Sequence, residues 1–354
     1  MKQRLHLPIM MFLYLAVMLT GCIEVIDFDT ERSGGQLVVD GSVVNGPGPF
    51  QLYLGRTANS QRKTIPLEGA TVRIFDNEGN SATYVDMSEG QYRIPEQTFS
   101  VEIGRTYYLH IELDNGEEYE SEREVTPGIY ARLDSLNFDF GEIREVNEYG
   151  NSIIVPTVNA YVDLSLEQTT PDVFYRFDVD EVYRLSPTDF PDPFGVIPPP
   201  CFVYTRPDLS SFTLLNVDAN QPRTVSRLQV ASARLDNRFD ERHYFNVYLR
   251  SLTEGAYTFW SQVGQTLSAV GTIFDTPPAP VRGNIYNVND PGEEVLGYFS
   301  AMSSDTIRAF LLPENTPFLP YYQCEYSPAK RDYPPRCLNC LSVPGSSYQK
   351  PDYF

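Results

Sequence analysis

The sequence predicts a mainly β protein: an N-terminal immunoglobulin- or transthyretin-like β-sandwich, then a second β-rich domain with one amphipathic helix. Three observations carry that prediction. Apolar and polar residues alternate with a period of two along most of the chain, and runs of Asn, Gly and Pro interrupt the alternation at short intervals. The 354 residues also include 24 Tyr and 21 Phe against a single Trp, an aromatic bias suited to pleated surfaces.

The clearest element is Thr106 to Leu113. Tyr107, Leu109, Ile111 and Leu113 fall on one face and Tyr108, His110 and Glu112 on the other, and Asp114-Asn115-Gly116 supplies the positive-φ turn of a hairpin. Glu118 to Val125 is the partner strand. Upstream, Leu37 to Val44, Phe50 to Arg56, Ala70 to Asp76 and Gln91 to Ile94 read as strands, with turns at Asn45-Gly46-Pro47-Gly48-Pro49 and Asn77-Glu78-Gly79-Asn80. Thr126-Pro127-Gly128 breaks the pattern and predicts a boundary between a sandwich over 36–126 and a second domain over 127–354.

In the second domain Val158, Ala160, Val162, Leu164 and Leu166 alternate with polar residues. So do Val173, Tyr175, Phe177 and Val179 with Arg176, Asp178 and Asp180. Ser186 to Pro200 holds six prolines and predicts a long loop. Such loops are functional or flexible, which makes Pro191, Phe194 and Pro198, with Tyr204 just beyond, the candidate ligand-contact segment; a stiff surface connection is the competing reading. A helix over Glu254 to Val270 follows from Tyr257, Trp260, Val263, Gly264 and Leu267 after a capping Thr253, and its aromatic stripe reads as core rather than as a sugar platform. Strands resume at Val281 to Val288, Glu294 to Ala301 and Thr306 to Leu312, and a Pro-, Tyr- and Cys-rich tail follows Pro313.

The first residues read as an address. Lys2 and Arg4 precede the apolar run Leu7 to Leu19, shorter than the roughly 20 residues that a membrane-spanning helix needs, so residues 1–21 predict a secretory signal peptide. Leu19-Thr20-Gly21-Cys22 resembles a bacterial lipobox and predicts lipidation at Cys22, with outer-membrane anchoring through the acyl chains. Residues 22–35 form a tether whose Glu24, Asp27, Asp29 and Glu31 resemble the surface-export signals of Bacteroidota lipoproteins; a solvated tether facing the periplasm is the competing reading.

Cys201, Cys324, Cys337 and Cys340 remain, an even number in an oxidising compartment, which predicts two disulfides with three connectivities open. The competing four-thiolate zinc site has only one Cys-x2-Cys knuckle to build on, so no metal is expected. With 47 Asp+Glu against 27 Lys+Arg the formal net charge is −20, which excludes nucleic acid as a partner. Only His110 and His243 lie outside the signal segment, and neither sits in a nucleophile elbow or a metal-ligand spacing. The chain therefore reads as non-catalytic and without a cofactor; a glycan hydrolase built on a carboxylate pair is the remaining enzymatic alternative.

Several motifs resemble the Bacteroidota lipoprotein family catalogued as domain of unknown function 4249. They are Leu37-Val38-Val39-Asp40-Gly41-Ser42-Val43, Gly46-Pro47-Gly48-Pro49-Phe50, Gly69-Ala70-Thr71-Val72 and Gly104-Arg105-Thr106-Tyr107-Tyr108-Leu109 in the first half. Trp260, Gly271-Thr272-Ile273-Phe274-Asp275-Thr276-Pro277-Pro278, Gly283-Asn284-Ile285 and Val295-Leu296-Gly297-Tyr298-Phe299 carry it in the second. The resemblance implies a surface-exposed outer-membrane lipoprotein, a binding or accessory module for a TonB-dependent nutrient-uptake receptor, with no catalytic residues and no named ligand. A structural or adhesive cell-surface protein is the alternative. The motif glycines and prolines themselves read as fold rather than chemistry.

Overall fold

The computed structural model describes residues 35–58, 64–167, 172–188, 199–205, 212–218, 223–269, 281–317 and 324–354. The first pass of the chain lays down ten strands: β1 (Leu37–Val44), β2 (Phe50–Thr57), β3 (Thr64–Pro66), β4 (Thr71–Asp76), β5 (Ser81–Thr83), β6 (Val85–Asp86), β7 (Gln91–Ile94), β8 (Thr106–Glu112), β9 (Glu118–Ser121) and β10 (Glu124–Val125). The second adds β11 (Ala131–Val146), β12 (Ser152–Leu166), β13 (Val173–Leu185), β14 (Cys201–Thr205), β15 (Thr213–Val217), β16 (Thr224–Arg234) and β17 (His243–Leu252). Helix α1 (Glu254–Ala269), β18 (Ile285–Asn287), β19 (Leu296–Leu311), the short α2 (Pro335–Leu338) and β20 (Ser346–Ser347) complete it. The chain is mainly β, as its alternation predicts, and two sandwiches account for the layout.

In the first sandwich β19, β1, β2, β7 and β6 face the sheet β18-β9-β8-β4-β5. Leu37, Val39, Leu52, Leu54, Ile74, Leu109 and Ile111 meet between them, each fully buried. Burying such a side chain is worth about 1.5–3 kcal/mol, which explains why the period-two pattern fixes the register so firmly. The second sandwich packs β11-β12-β16 against β14, β13, β15, β17 and the far half of β19. Its core holds Val158, Val162, Tyr175, Phe177, Phe245, Val247 and Leu249.

One strand joins the two. β19 pairs in parallel with β1 from Val38↔Leu296 to Val44↔Met302, then antiparallel with β17 from Ser251↔Ser303 to His243↔Leu311, so the halves share an 11-stranded sheet. The pattern reads this strand as two, Glu294 to Ala301 and Thr306 to Leu312, with the polar Ser303-Ser304-Asp305 between them. Those polar residues instead serve the joint. The Ser303 hydroxyl donates to the Pro127 carbonyl at 2.6 Å, Ser251 donates to the Gly128 carbonyl at 2.9 Å, and the Ser304 amide donates to Asn45 Oδ1 at 2.9 Å. The Thr126-Pro127-Gly128 breaker is therefore bolted down. Closure of the first sandwich also needs β18 and β19 from beyond residue 280, so its sheets draw on both sides of that breaker.

Helix α1 starts where Thr253 predicts, with the Ala256 amide donating to Thr253 Oγ1 at 3.2 Å. Ala256, Phe259 and Trp260 pack with Leu252, Tyr298 and Met302 on the outer side of the shared sheet, so Trp260 is core. Cys201 bonds to Cys340 and Cys324 to Cys337, which consumes the four thiols that a zinc site would need as thiolates. The first bridge and the β14–β20 pairing hold the C-terminal tail to the second sandwich.

Candidate functional site

The outer face of the shared sheet gathers the chain's polar chemistry. Because strand residues alternate, the burial of Tyr175, Phe177, Phe245, Val247 and Leu249 sends Arg176, Asp178, Asp180, Asn246, Tyr248 and Arg250 outward. The register sets Arg176 opposite Arg250, Asp178 opposite Tyr248, and Asp180 opposite Asn246. Arg176 grips Asp178 with Nε and Nη2, each at 2.9 Å, while Arg250 Nε approaches the same carboxylate at 3.6 Å. The Arg176 guanidinium also lies 4.2 Å from the centre of the Trp260 ring. Burial lowers the pKa of Arg250 even though Asp178 works against it, and burial together with Asp180 pushes the Tyr248 phenol up to about 12.

Beyond this strip the tail takes over the face. Tyr244 donates to the Tyr353 carbonyl at 2.9 Å, Arg308 sits 3.3 Å over the Tyr353 ring, and Phe354 packs its ring 4.9 Å from Phe202. On the first sandwich the same outer face carries two rows across four strands: Tyr298, Asp40, Tyr53 and Gln91, then Ser300, Ser42, Gln51 and Arg93. Two adjoining hollows of about 320 Å³ lie here and share Ser42 and Gln51; one ends on the Asn45–Pro49 turn.

Several other ionisable groups are tied into the structure. Glu124 is buried and accepts from Tyr298 Oη at 2.6 Å, Thr253 Oγ1 at 2.7 Å and Asn284 Nδ2 at 3.4 Å. Burial raises its pKa, and those three hydrogen bonds only partly offset the rise. His243 is fully buried, its ring stacked 4.0 Å from Phe239, with Nε2 3.0 Å from a Glu181 carboxylate oxygen that also accepts from Arg238 at 2.8 Å. Burial pushes Glu181 up, but His243 and Arg238 outweigh it and hold the carboxyl below its usual range. His110 is half-buried, 3.5 Å from Glu120. Among the described residues no group of three or more His, Cys, Asp or Glu is placed to hold a metal ion. This arrangement can present and position a ligand. Asp178, Glu124 and Glu181 are each held by internal partners.

Of the residues singled out by sequence, Cys22, Pro191, Phe194 and Pro198 lie outside the described residues. Tyr204 is on β14, part-exposed at the edge of the tail-covered face, its hydroxyl donating to the Gln349 carbonyl at 3.4 Å. The cysteines come together as two bridges rather than one cluster. The pattern reads Asp178, Asp180 and Glu181 as a solvated strand face; Glu181 is instead largely buried against His243 and Arg238, and nothing in the pattern marks Tyr248, Arg250 or Arg308. Alternation marks which side these residues take, but only strand pairing tells which of them meet.

A family model described as a domain of unknown function, DUF4249, matches residues 23–308. The chain belongs to this family. The DUF4249 match runs through both sandwiches and stops inside β19, so the disulfide-bonded tail lies beyond it. No curated protein matches the chain. Among solved structures it is similar to one reported as the structural basis for the promiscuous specificity of carbohydrate-binding modules from the β-sandwich superfamily, at 9% identity. That comparison covers 61% of this chain and 96% of the other, with a TM-score of 0.16. The DUF4249 motif residues have structural tasks here: Asn284 donates to the Phe299 carbonyl at 2.8 Å and accepts from its amide at 2.9 Å, clipping the segment before β18 to β19.

Proposed function

We propose that this DUF4249 protein is a lipid-anchored outer-membrane module, displayed at the cell surface through Cys22, that binds rather than catalyses and serves as accessory to a TonB-dependent nutrient-uptake receptor. The observation that carries the reading is an arm. β16 pairs with β12 only as far as Thr157, so the far ends of β11 and β12 continue as a two-stranded ribbon. Val146, Tyr149 and Ile154 are 73%, 79% and 59% exposed, with Phe140, Ile143 and Ile153 also open to solvent. By the register Phe140, Val146 and Ile154 lie on one face and Ile143 and Ile153 on the other.

A ribbon meant only for water keeps at least one face polar, whereas apolar groups on both faces suit insertion against a partner. Glu142, Glu145 and Glu148 interleave with them, which disfavours an anionic lipid surface and favours a protein. The supporting experiment purifies tagged protein from mildly solubilised outer membranes of intact, protease-probed cells. Surface cleavage and recovery of a TonB-dependent receptor are expected, with recovery lost in the Val146→Asp, Ile154→Asp variant. A protected protein that purifies alone, or unchanged recovery with that variant, overturns the reading.

A further inference from the structure

Among the described residues, neither the arm nor the tail makes a hydrogen bond, ion pair or ring contact with the two polar rows on the first sandwich. They lie on the outward side of β19, β1, β2 and β7, where the inward neighbours Val39, Leu52 and Tyr92 are buried in the core. Asp40, Ser42, Gln51, Gln91 and Arg93 converge there. Among the described residues none of these five side chains makes a hydrogen bond within the protein, unlike the tied groups of the second sandwich. Tyr53 adds a ring beside them, its hydroxyl 2.9 Å from Thr64 Oγ1. The adjoining hollows of about 320 Å³ lie along these rows, within the usual range for small-ligand sites.

We propose that this grid binds a neutral glycan. The claim deepens the binding-module reading and rests on it by naming the ligand class. The grid's charges are few and of both signs, the Asp40 carboxylate acted on by the Arg176 guanidinium and Arg93 standing in the second row, so neither a polyanion nor a polycation is favoured. A hollow lined by Asp40, Ser42, Gln51, Tyr53 and Gln91 offers a lipid or a purely aromatic ligand little apolar surface, and a polar ligand that left these groups unpaired would lose their hydration for nothing. Vicinal hydroxyls, each both donor and acceptor, match carboxamide, carboxylate and guanidinium groups, and Tyr53 offers a flat apolar face to a pyranose ring. On β19 the row residues Tyr298 and Ser300 are buried, so the open part spans β1, β2 and β7, and strands spaced by about 4.8 Å put roughly 10 Å across it, enough for about two sugar rings.

The test uses the purified full chain in detergent, titrated calorimetrically with neutral gluco-, manno- and xylo-oligosaccharides and, separately, with oligouronates. Binding of at least one neutral series is expected. The double variant Gln51→Ala, Gln91→Ala should weaken it about tenfold or more with little change in thermal midpoint, since both side chains are exposed, and the remote Tyr149→Ala variant should leave it intact. Absence of binding by every neutral series at about 10 mM, preference for the uronates, or full affinity in the Gln51, Gln91 variant overturns the proposal. Receptor recovery is a separate readout. A glycan-negative protein that still co-purifies with the receptor loses this inference and keeps the accessory role; one that binds glycan but recovers no receptor does the reverse.

Discussion

Gly283 lies against the backbone of Gly297 so closely that a Cβ on Gly283 would sit 1.7 Å from the Gly297 carbonyl oxygen. Gly297, with φ +99°, in turn presses on β1, where its own Cβ would fall 1.9 Å from the Val39 carbonyl oxygen. Three chain segments therefore meet with no room for a methyl group. Gly283→Ala and Gly297→Ala are each expected to destabilise the protein by about 3 kcal/mol or more, since backbone and not a flexible side chain would have to move. Gly79→Ala is the comparison: its φ is also positive, but nothing lies within 4 Å, so only the conformational cost of about 1 kcal/mol applies. Urea denaturation of the three variants checks the order.

Glu124 joins β10, the start of α1 and β19 through Thr253 and Tyr298. Tyr298→Phe removes the shortest of its three hydrogen bonds and should cost about 1–3 kcal/mol. The carboxyl already binds its proton more tightly folded than unfolded, so its contribution is greatest below its ordinary pKa of 4.5 and is lost as pH rises. Losing a donor raises the folded pKa further. The deficit of the variant should therefore be larger at about pH 8 than at about pH 4, and denaturant midpoints at both values decide it.

Cys201–Cys340 closes a separation of 139 residues and Cys324–Cys337 one of 13. On loop-closure entropy, Cys201→Ser with Cys340→Ser should cost about 4–5 kcal/mol, against about 3 kcal/mol for Cys324→Ser with Cys337→Ser. The first pair should also free the tail from Tyr244 and Arg308. Limited proteolysis is then expected to remove residues beyond 340 from that variant and spare them in the second.

Asp240 sits in the turn before β17, and burial pushes its carboxyl up to about 7; Arg336 opposes the rise, while Asp236 and Glu241 add to it. Its contribution to stability is complete below the ordinary value of 3.8 and drains away as pH climbs towards about 7. Asp240→Asn cannot ionise. Relative to the parent it should gain on the order of 1 kcal/mol between about pH 4 and about pH 8, a figure kept small because the side chain is partly in water. Thermal melts across that range test the sign.

Much of the fold is legible in particular residues. Leu37 to Val44 and Val173 to Leu185 match observed strands because alternation there is strict and both ends carry turn residues. Thr253 marks the start of α1 for an equally local reason. Strand β17 escapes notice because HYFNVYLRSL is nearly all buried, so the period-two signal is erased by packing on both faces. The long arm of β11 is equally hard to read, since Asp134, Asp139 and Glu142 interrupt its apolar residues.

The sequence by itself determined the strands with one wet face, the helix cap, the turns, the acidic charge, and the even set of cysteines within a chain that opens on a signal-like run. These follow from interactions among residues near each other along the chain. Tertiary structure alone decided that β19 runs unbroken through both sandwiches, that Cys201 finds Cys340, and that Asp40, Gln51 and Gln91 face out together with their hydrogen bonds unspent. Each depends on which strands become neighbours, a choice made by long-range burial of apolar faces, and residues so far apart in sequence leave no mark on one another's local pattern.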